Sequence, residues 1–141
     1  LLSVHLYSGI NQDRFNLGDQ QMRIIKNLIQ DIDKNIILMG DLNMTPVSKR
    51  FISFLEETNL YTYTSLLHPT FTWPTYLPRY LGIQIDHVLF SENFKMIKKN
   101  INCYFFSSSC TMITYFAILT TWRALVIKIN IFMKFITNNI W

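Results

Sequence analysis

Between Ile36 and Pro46 the chain reads IILMGDLNMTP. Four apolar residues, Ile36–Met39, form a run short for a helix and apolar enough for a strand buried on both faces. The run stops at Gly40. Asp41 and Asn43 follow two residues apart, and Thr45 before Pro46 suits a cap and the first turn of a helix. Upstream, Met22, Ile25, Ile29 and Ile32 recur at helical spacing behind Asp19, which predicts a helix from an Asp19 cap to about Ile32. Downstream, Val47, Phe51, Phe54 and Leu55 predict the inward face of a second helix ending near Asn59. Such alternation of helices and strands predicts an α/β layered fold.

The remaining segments extend this pattern. Ser3–Ser8, SVHLYS, alternates as a strand with Val4, Leu6 and Ser8 on one face and Ser3, His5 and Tyr7 on the other. Gly9–Gly18 reads as a polar loop, Tyr61–Thr64 as a short strand, and His68–Leu81 as an exposed loop rich in proline. Ile83–Phe90 is a strong strand. After about Asn100 the character changes: residues 101–141 contain no acid, histidine, glycine or proline, and show neither clean helical nor clean strand periodicity. By hydropathy this apolar tail is a weak candidate for a membrane span.

Composition rules out some classes. Half of the 141 residues are hydrophobic, so the chain can bury a core of one domain and is not disordered. The net charge is +4, but residues 1–100 hold ten basic against nine acidic residues. The rest comes from Arg123, Lys128 and Lys134, so no basic stripe marks a nucleic-acid surface. Cys103 and Cys110 have no metal-ligand spacing and make no disulfide framework, which favours an intracellular, cytoplasmic protein. No signal peptide is visible. The chain opens on LLSVHL, which reads as the inside of a strand and suggests the downstream part of a longer protein.

Three places carry chemistry. Asp41 and Asn43 follow the C-terminal end of a strand, where α/β sheets expose functional groups. In an extended chain their spacing puts both on one side. A carboxylate can orient a water or bind a divalent metal, and an amide can bond a phosphate oxygen without adding negative charge. The same Gly-Asp-x-Asn is also ordinary turn chemistry. In IQIDHVLFS, Ile83–Ser91, Asp86 and His87 interrupt an apolar strand, so each must be paired if buried. They point to opposite faces and do not act as one pair. Asp86 suits holding a histidine in the correct tautomer, whereas His87 reads as a packed or surface histidine. His5 lies in the first strand.

VHLYSG, IILMGDLNMTP, TFTWP and IQIDHVLFS, in this order over Leu1–Lys99, resemble the endonuclease/exonuclease/phosphatase superfamily, whose fold is deoxyribonuclease I-like. The resemblance implies a four-layer α/β/β/α sandwich, here incomplete. Residues 1–100 would be the C-terminal portion of such a domain and 101–141 a divergent tail. It implies a phosphoesterase acting on phosphodiester or phosphomonoester bonds by in-line water attack, with Mg²⁺ or Mn²⁺ as cofactor. Asp41 would position or activate the water near the metal, and would be a metal ligand. Asn43 would bind the scissile phosphate, and His5 would contact it. Asp86 would orient a catalytic histidine. Thr72 and Trp73 lie in a loop that often faces substrate, although packing accounts for them equally well. The substrate implied is a phosphate ester, in a nucleic acid or a phospholipid headgroup.

The family pattern also has an early Asn, a metal-binding Glu and a terminal Ser-Asp-His, none of which this sequence supplies. Its histidines are His5, His68 and His87. The alternative is therefore a catalytically inactive fragment or pseudogene product. The tail offers a reason: Ile118–Trp122, written ATT CTG ACC ACC TGG and read from its third base, gives Ser-Asp-His-Leu. An out-of-frame tail and a truly divergent one both remain open.

Overall fold

The computed structural model describes residues 1–32, 35–63, 71–74, 81–103, 109–119 and 124–134, with side chains up to residue 97. The chain forms two compact units, Leu1–Pro69 with Gln84–Glu92, and Thr70–Ile83 with Asn93–Trp141.

The first unit holds β1 (Leu2–His5), α1 (Gln12–Asp31), β2 (Ile37–Asp41), α2 (Lys49–Thr58), β3 (Tyr61–Thr62) and β4 (Asp86–Phe90). The sheet order is β1-β2-β4-β3. β1 runs parallel to β2, and β4 runs antiparallel to β2 and β3. The register sorts side chains into two faces, because partners on adjacent strands project to the same side. Leu2, Leu38 and Leu89 share one row, and Val4, Gly40 and His87 another, on the face that joins the helices in a single core with Met22, Ile29, Leu42, Phe51 and Phe54. Met39, Asp41, Asp86, Val88 and Phe90 lie on the other face and are buried too. Both faces of β2 and β4 are thus removed from water, as the apolar run Ile36–Met39 predicts for β2.

α1 begins earlier than Asp19. Asn11 is the cap, its side chain accepting from the Arg14 N–H at 2.9 Å, and the segment expected as a polar loop supplies the first turns. Gly18 misleads the sequence reading: it lies inside the helix, at a position where a Cβ would come within 2.9 Å of the Tyr7 carbonyl oxygen. Asp19 instead binds Arg50 of α2 at 2.5 Å. Met22 and Ile29 are buried and Ile25 is partly so, whereas Ile32 is the C-cap and lies largely outside the core.

α2 starts at a Ser48 cap, whose hydroxyl accepts from Phe51 N–H at 3.2 Å, rather than at Thr45. Thr45 opens a turn closed by Ser48 N–H to its carbonyl at 3.0 Å. Val47 lies in that turn and is exposed, not inward. Phe51 and Phe54 are buried, each contributing about 2–3 kcal/mol by transfer from water. Asn59 ends the helix in the left-handed region at φ 52°, which Asn tolerates better than most residues.

In the second unit, Trp73 and Ile83 form an isolated antiparallel bridge. Within the segment read as the exposed loop His68–Leu81, residues 68–70 and 75–80 lie outside those described. β5 (Phe94–Cys103), β6 (Ser109–Leu119) and β7 (Ala124–Lys134) form an antiparallel meander with a register shift between Met96 and Lys98. The described parts of the tail without clean periodicity, residues 101–103, 109–119 and 124–134, are thus strand, in keeping with its many Ile, Thr, Val and aromatic residues. Among the described residues no helix is long and apolar enough to cross a membrane.

Candidate active site

The strand ladder sets one row of polar residues across the first sheet. His5 pairs with Asp41 across β1 and β2, and Asp41 pairs with Asp86 across β2 and β4. The three side chains therefore project from one face at one level, with Asp41 in the middle. His5 Nε2 lies 3.8 Å from Asp41 Oδ2; the imidazole is mostly exposed, while the carboxylate is only 11% exposed. Asp86 is fully buried. The ladder continues past the strand ends, with Leu6 N–H donating to Asp41 O and Leu42 N–H to Ile85 O, both at 2.9 Å.

Gly40 makes this row feasible. Its φ is +139°, and a Cβ there would fall 1.9 Å from the Val4 carbonyl oxygen. A side chain at Gly40 would run into the Val4 backbone, so glycine lets β1 and β2 pair in the register that sets His5 beside Asp41.

After Asp41 the chain turns instead of staying extended. Asn43 adopts φ 49°, and its N–H donates to Asp41 Oδ1 at 2.8 Å. Function and turn chemistry are therefore compatible at Gly-Asp-x-Asn, since the carboxylate that closes the turn keeps its second oxygen toward His5. Asn43 Nδ2 donates to the Leu6 carbonyl at 2.7 Å, which orients the amide. One N–H of that half-buried amide is left over from this bond.

Burial raises the Asp41 carboxyl from its usual 3.8 to about 6, and the hydrogen bond from Asn43 N–H offsets part of the rise. At pH 7 the group is mostly ionised yet basic enough to accept a proton, the range suited to a general base.

His87 is packed, as expected. Its ring lies against Phe51 with centroids 4.3 Å apart, on the helix side of the sheet and away from the Asp86 side chain. Thr72 and Trp73 belong to the other unit. Thr72 is buried and Trp73 half exposed, and both donate backbone N–H groups to the Ile83 carbonyl. Sequence reasoning missed the contributions of Gly40 and the Leu6 carbonyl. For Gly40 the signal was a glycine inside an apolar strand run; backbone carbonyls leave none.

Residues 6–99 match the model of the Endonuclease/Exonuclease/phosphatase family. The chain belongs to that family. Its described first unit is α/β, a four-stranded mixed sheet with two helices. Among solved structures, the chain is similar to an endonuclease/exonuclease/phosphatase family protein from Bacteroides thetaiotaomicron, with 15% identity and a TM-score of 0.48. The match covers 92% of this chain and 48% of that protein, so the chain spans about half its length. No curated protein matches.

The family suggests phosphoesterase-type chemistry and generally depends on a divalent metal. Among the described residues no group of three or more His, Cys, Asp or Glu could hold an ion. Asp41 offers one carboxylate ligand, and a hard cation such as Mg²⁺ uses one or two carboxylates with waters and substrate oxygens. Asp41 is thus the described carboxylate that would hold such an ion, the other positions being left to water and substrate oxygens.

Proposed function

We propose that this chain carries the water-and-phosphate corner of a phosphoester hydrolase, acting on a phosphodiester or a phosphomonoester. The observation that carries the reading is the aligned row His5–Asp41–Asp86, with Asn43 in the turn beside it. Asp41 accepts a proton from a water as the water oxygen attacks phosphorus in line with the leaving oxygen. The new P–O bond forms as the bond to the leaving oxygen breaks, and the leaving group departs with that electron pair. The free N–H of the Asn43 amide holds a phosphoryl oxygen, and His5 contacts the same group at the exposed edge of the row. Asp86 sits across from Asp41, placed to orient an imidazole. Mg²⁺ or Mn²⁺, where bound, would supply charge neutralisation at the phosphate, with Asp41 as its ligand. The substrate is a nucleic acid or a phospholipid headgroup, and the near-neutral balance of residues 1–100 favours neither.

A fragment without catalysis is the second reading, favoured by the lack, among the described residues, of any group of three or more His, Cys, Asp or Glu that could hold an ion. The test is hydrolysis of bis-p-nitrophenyl phosphate by the purified chain with Mg²⁺, alongside Asp41→Ala. Turnover abolished by the substitution supports the enzyme. A well-folded chain with no turnover supports the fragment.

A further inference from the structure

His87 has no role in the chemistry above, yet it is fully buried and polar at the heart of the helix-side core. Its environment is built rather than merely filled. Nε2 lies 2.7 Å from the Met44 carbonyl oxygen, and since that oxygen can only accept, Nε2 carries the hydrogen. Nδ1 faces the buried Gln84 amide nitrogen at 3.4 Å. Gln84 is itself held by donating to the Asp86 carbonyl at 3.1 Å. Phe51 packs against the ring at an interplanar angle of 35°.

Met44 follows Asn43 directly. Asn43 sits in the left-handed region, which non-glycine residues rarely adopt unless surroundings hold them there. Two bonds hold it from its own side, to the Asp41 carboxylate and the Leu6 carbonyl. The His87 bond to Met44 is the third, and it arrives from β4, the strand that also carries Asp86. One strand thus sets Asp86 on one face and, through the next residue, pins the Asn43 turn from the other.

We propose that His87 is a positioning residue, an imidazole clamp on the Met44 carbonyl that keeps the Asn43 amide aimed at the phosphate. The proposal rests on the phosphoester reading for its purpose, but not for its geometry. Losing the clamp leaves a buried carbonyl without its donor and lets the turn relax, so the competent fraction of the site falls.

The experiment uses the whole chain with His87→Leu, His87→Asn and His87→Gln. Leu removes the donor, and Asn is too short to reach Met44. Gln can place an amide nitrogen near the position of Nε2. Hydrogen exchange of the Asn43 backbone N–H is read by NMR beside exchange within α2, and kcat and KM are read on bis-p-nitrophenyl phosphate. Asn43 exchange is expected to quicken about tenfold in the Leu and Asn variants, with α2 unchanged, while Gln stays near wild type. Turnover falls in the same order, with kcat affected more than KM. Unchanged Asn43 protection in both donor-lacking variants overturns the clamp, whatever the activity does. Equal loss of protection throughout α2 also overturns it, showing a packing role alone. Asn43→Ala separates the two ideas: if it leaves turnover intact, the phosphoester role of Asn43 is wrong, while the exchange data still decide the clamp.

Discussion

Replacing Asp41 by Asn removes a charge from a place that resists it, and the consequence for stability can be worked out. Burial raises the carboxyl from 3.8 to about 6. Between those values the folded chain keeps a proton that the unfolded chain has released, so stability falls as pH rises through this window. At about 1.36 kcal/mol per pH unit, the loss across it is on the order of 3 kcal/mol. The carboxylate side chain is only 11% exposed, so solvent screening takes little of this away. Asparagine keeps an oxygen to accept from Asn43 N–H and loses the charge. Asp41→Asn should therefore match the wild type near pH 4 and exceed it by up to about 3 kcal/mol at pH 7 and above. Urea unfolding of both proteins in EDTA, from pH 4 to 8, reads the difference directly, because every other titrating group is shared. A difference that stays flat across that range would refute the claim that Asp41 is ionised at a cost.

Other expectations follow from the same geometry. Gly40→Ala should destabilise the fold by about 3 kcal/mol or more, because φ +139° and a 1.9 Å approach to the Val4 oxygen leave no room for a Cβ; chemical denaturation measures it. Phe54→Ala should cost about 3–5 kcal/mol by the same assay, its ring being 1% exposed in the core. Asn43→Ala should cut phosphoester turnover by on the order of a hundredfold, the usual loss for a donor aimed at developing charge, with far-ultraviolet circular dichroism unchanged.

Much of this was readable because strong local signals agreed with the tertiary structure. Ile36–Met39 is apolar without interruption, and β2 and β4 bury both faces. Phe51 and Phe54 recur at helical spacing and turn inward. Boundaries were less readable where a tertiary contact overrode local preference. Gly18 looks like a loop residue but lies within α1, where the Tyr7 carbonyl leaves no room for a side chain. Thr45-Pro46 looks like a helix start, but the chain first closes a turn that carries Asn43 and Met44. Strand Ile83–Phe90 begins later, at Asp86, because Ile83 bridges to Trp73. The site divides in the same way. Asp41, Asn43 and Asp86 announce themselves as polar residues in apolar surroundings. Their alignment depends on the register of β1, β2 and β4, which nothing in the local sequence encodes. His87 reads correctly as packed, but its hold on Met44 depends on a backbone oxygen distant in sequence.

The central claim is that Asp41 takes the proton from the attacking water. The pH dependence of kcat/KM for bis-p-nitrophenyl phosphate tests it most directly, with wild type and Asp41→Asn compared from pH 5 to 8. Without added metal the rate should rise with pH and be half-maximal near pH 6 in the wild type, where the carboxyl ionises, and show no such limb in the variant. Equal rates in the two proteins, or a wild-type profile without an inflection near pH 6, would contradict it.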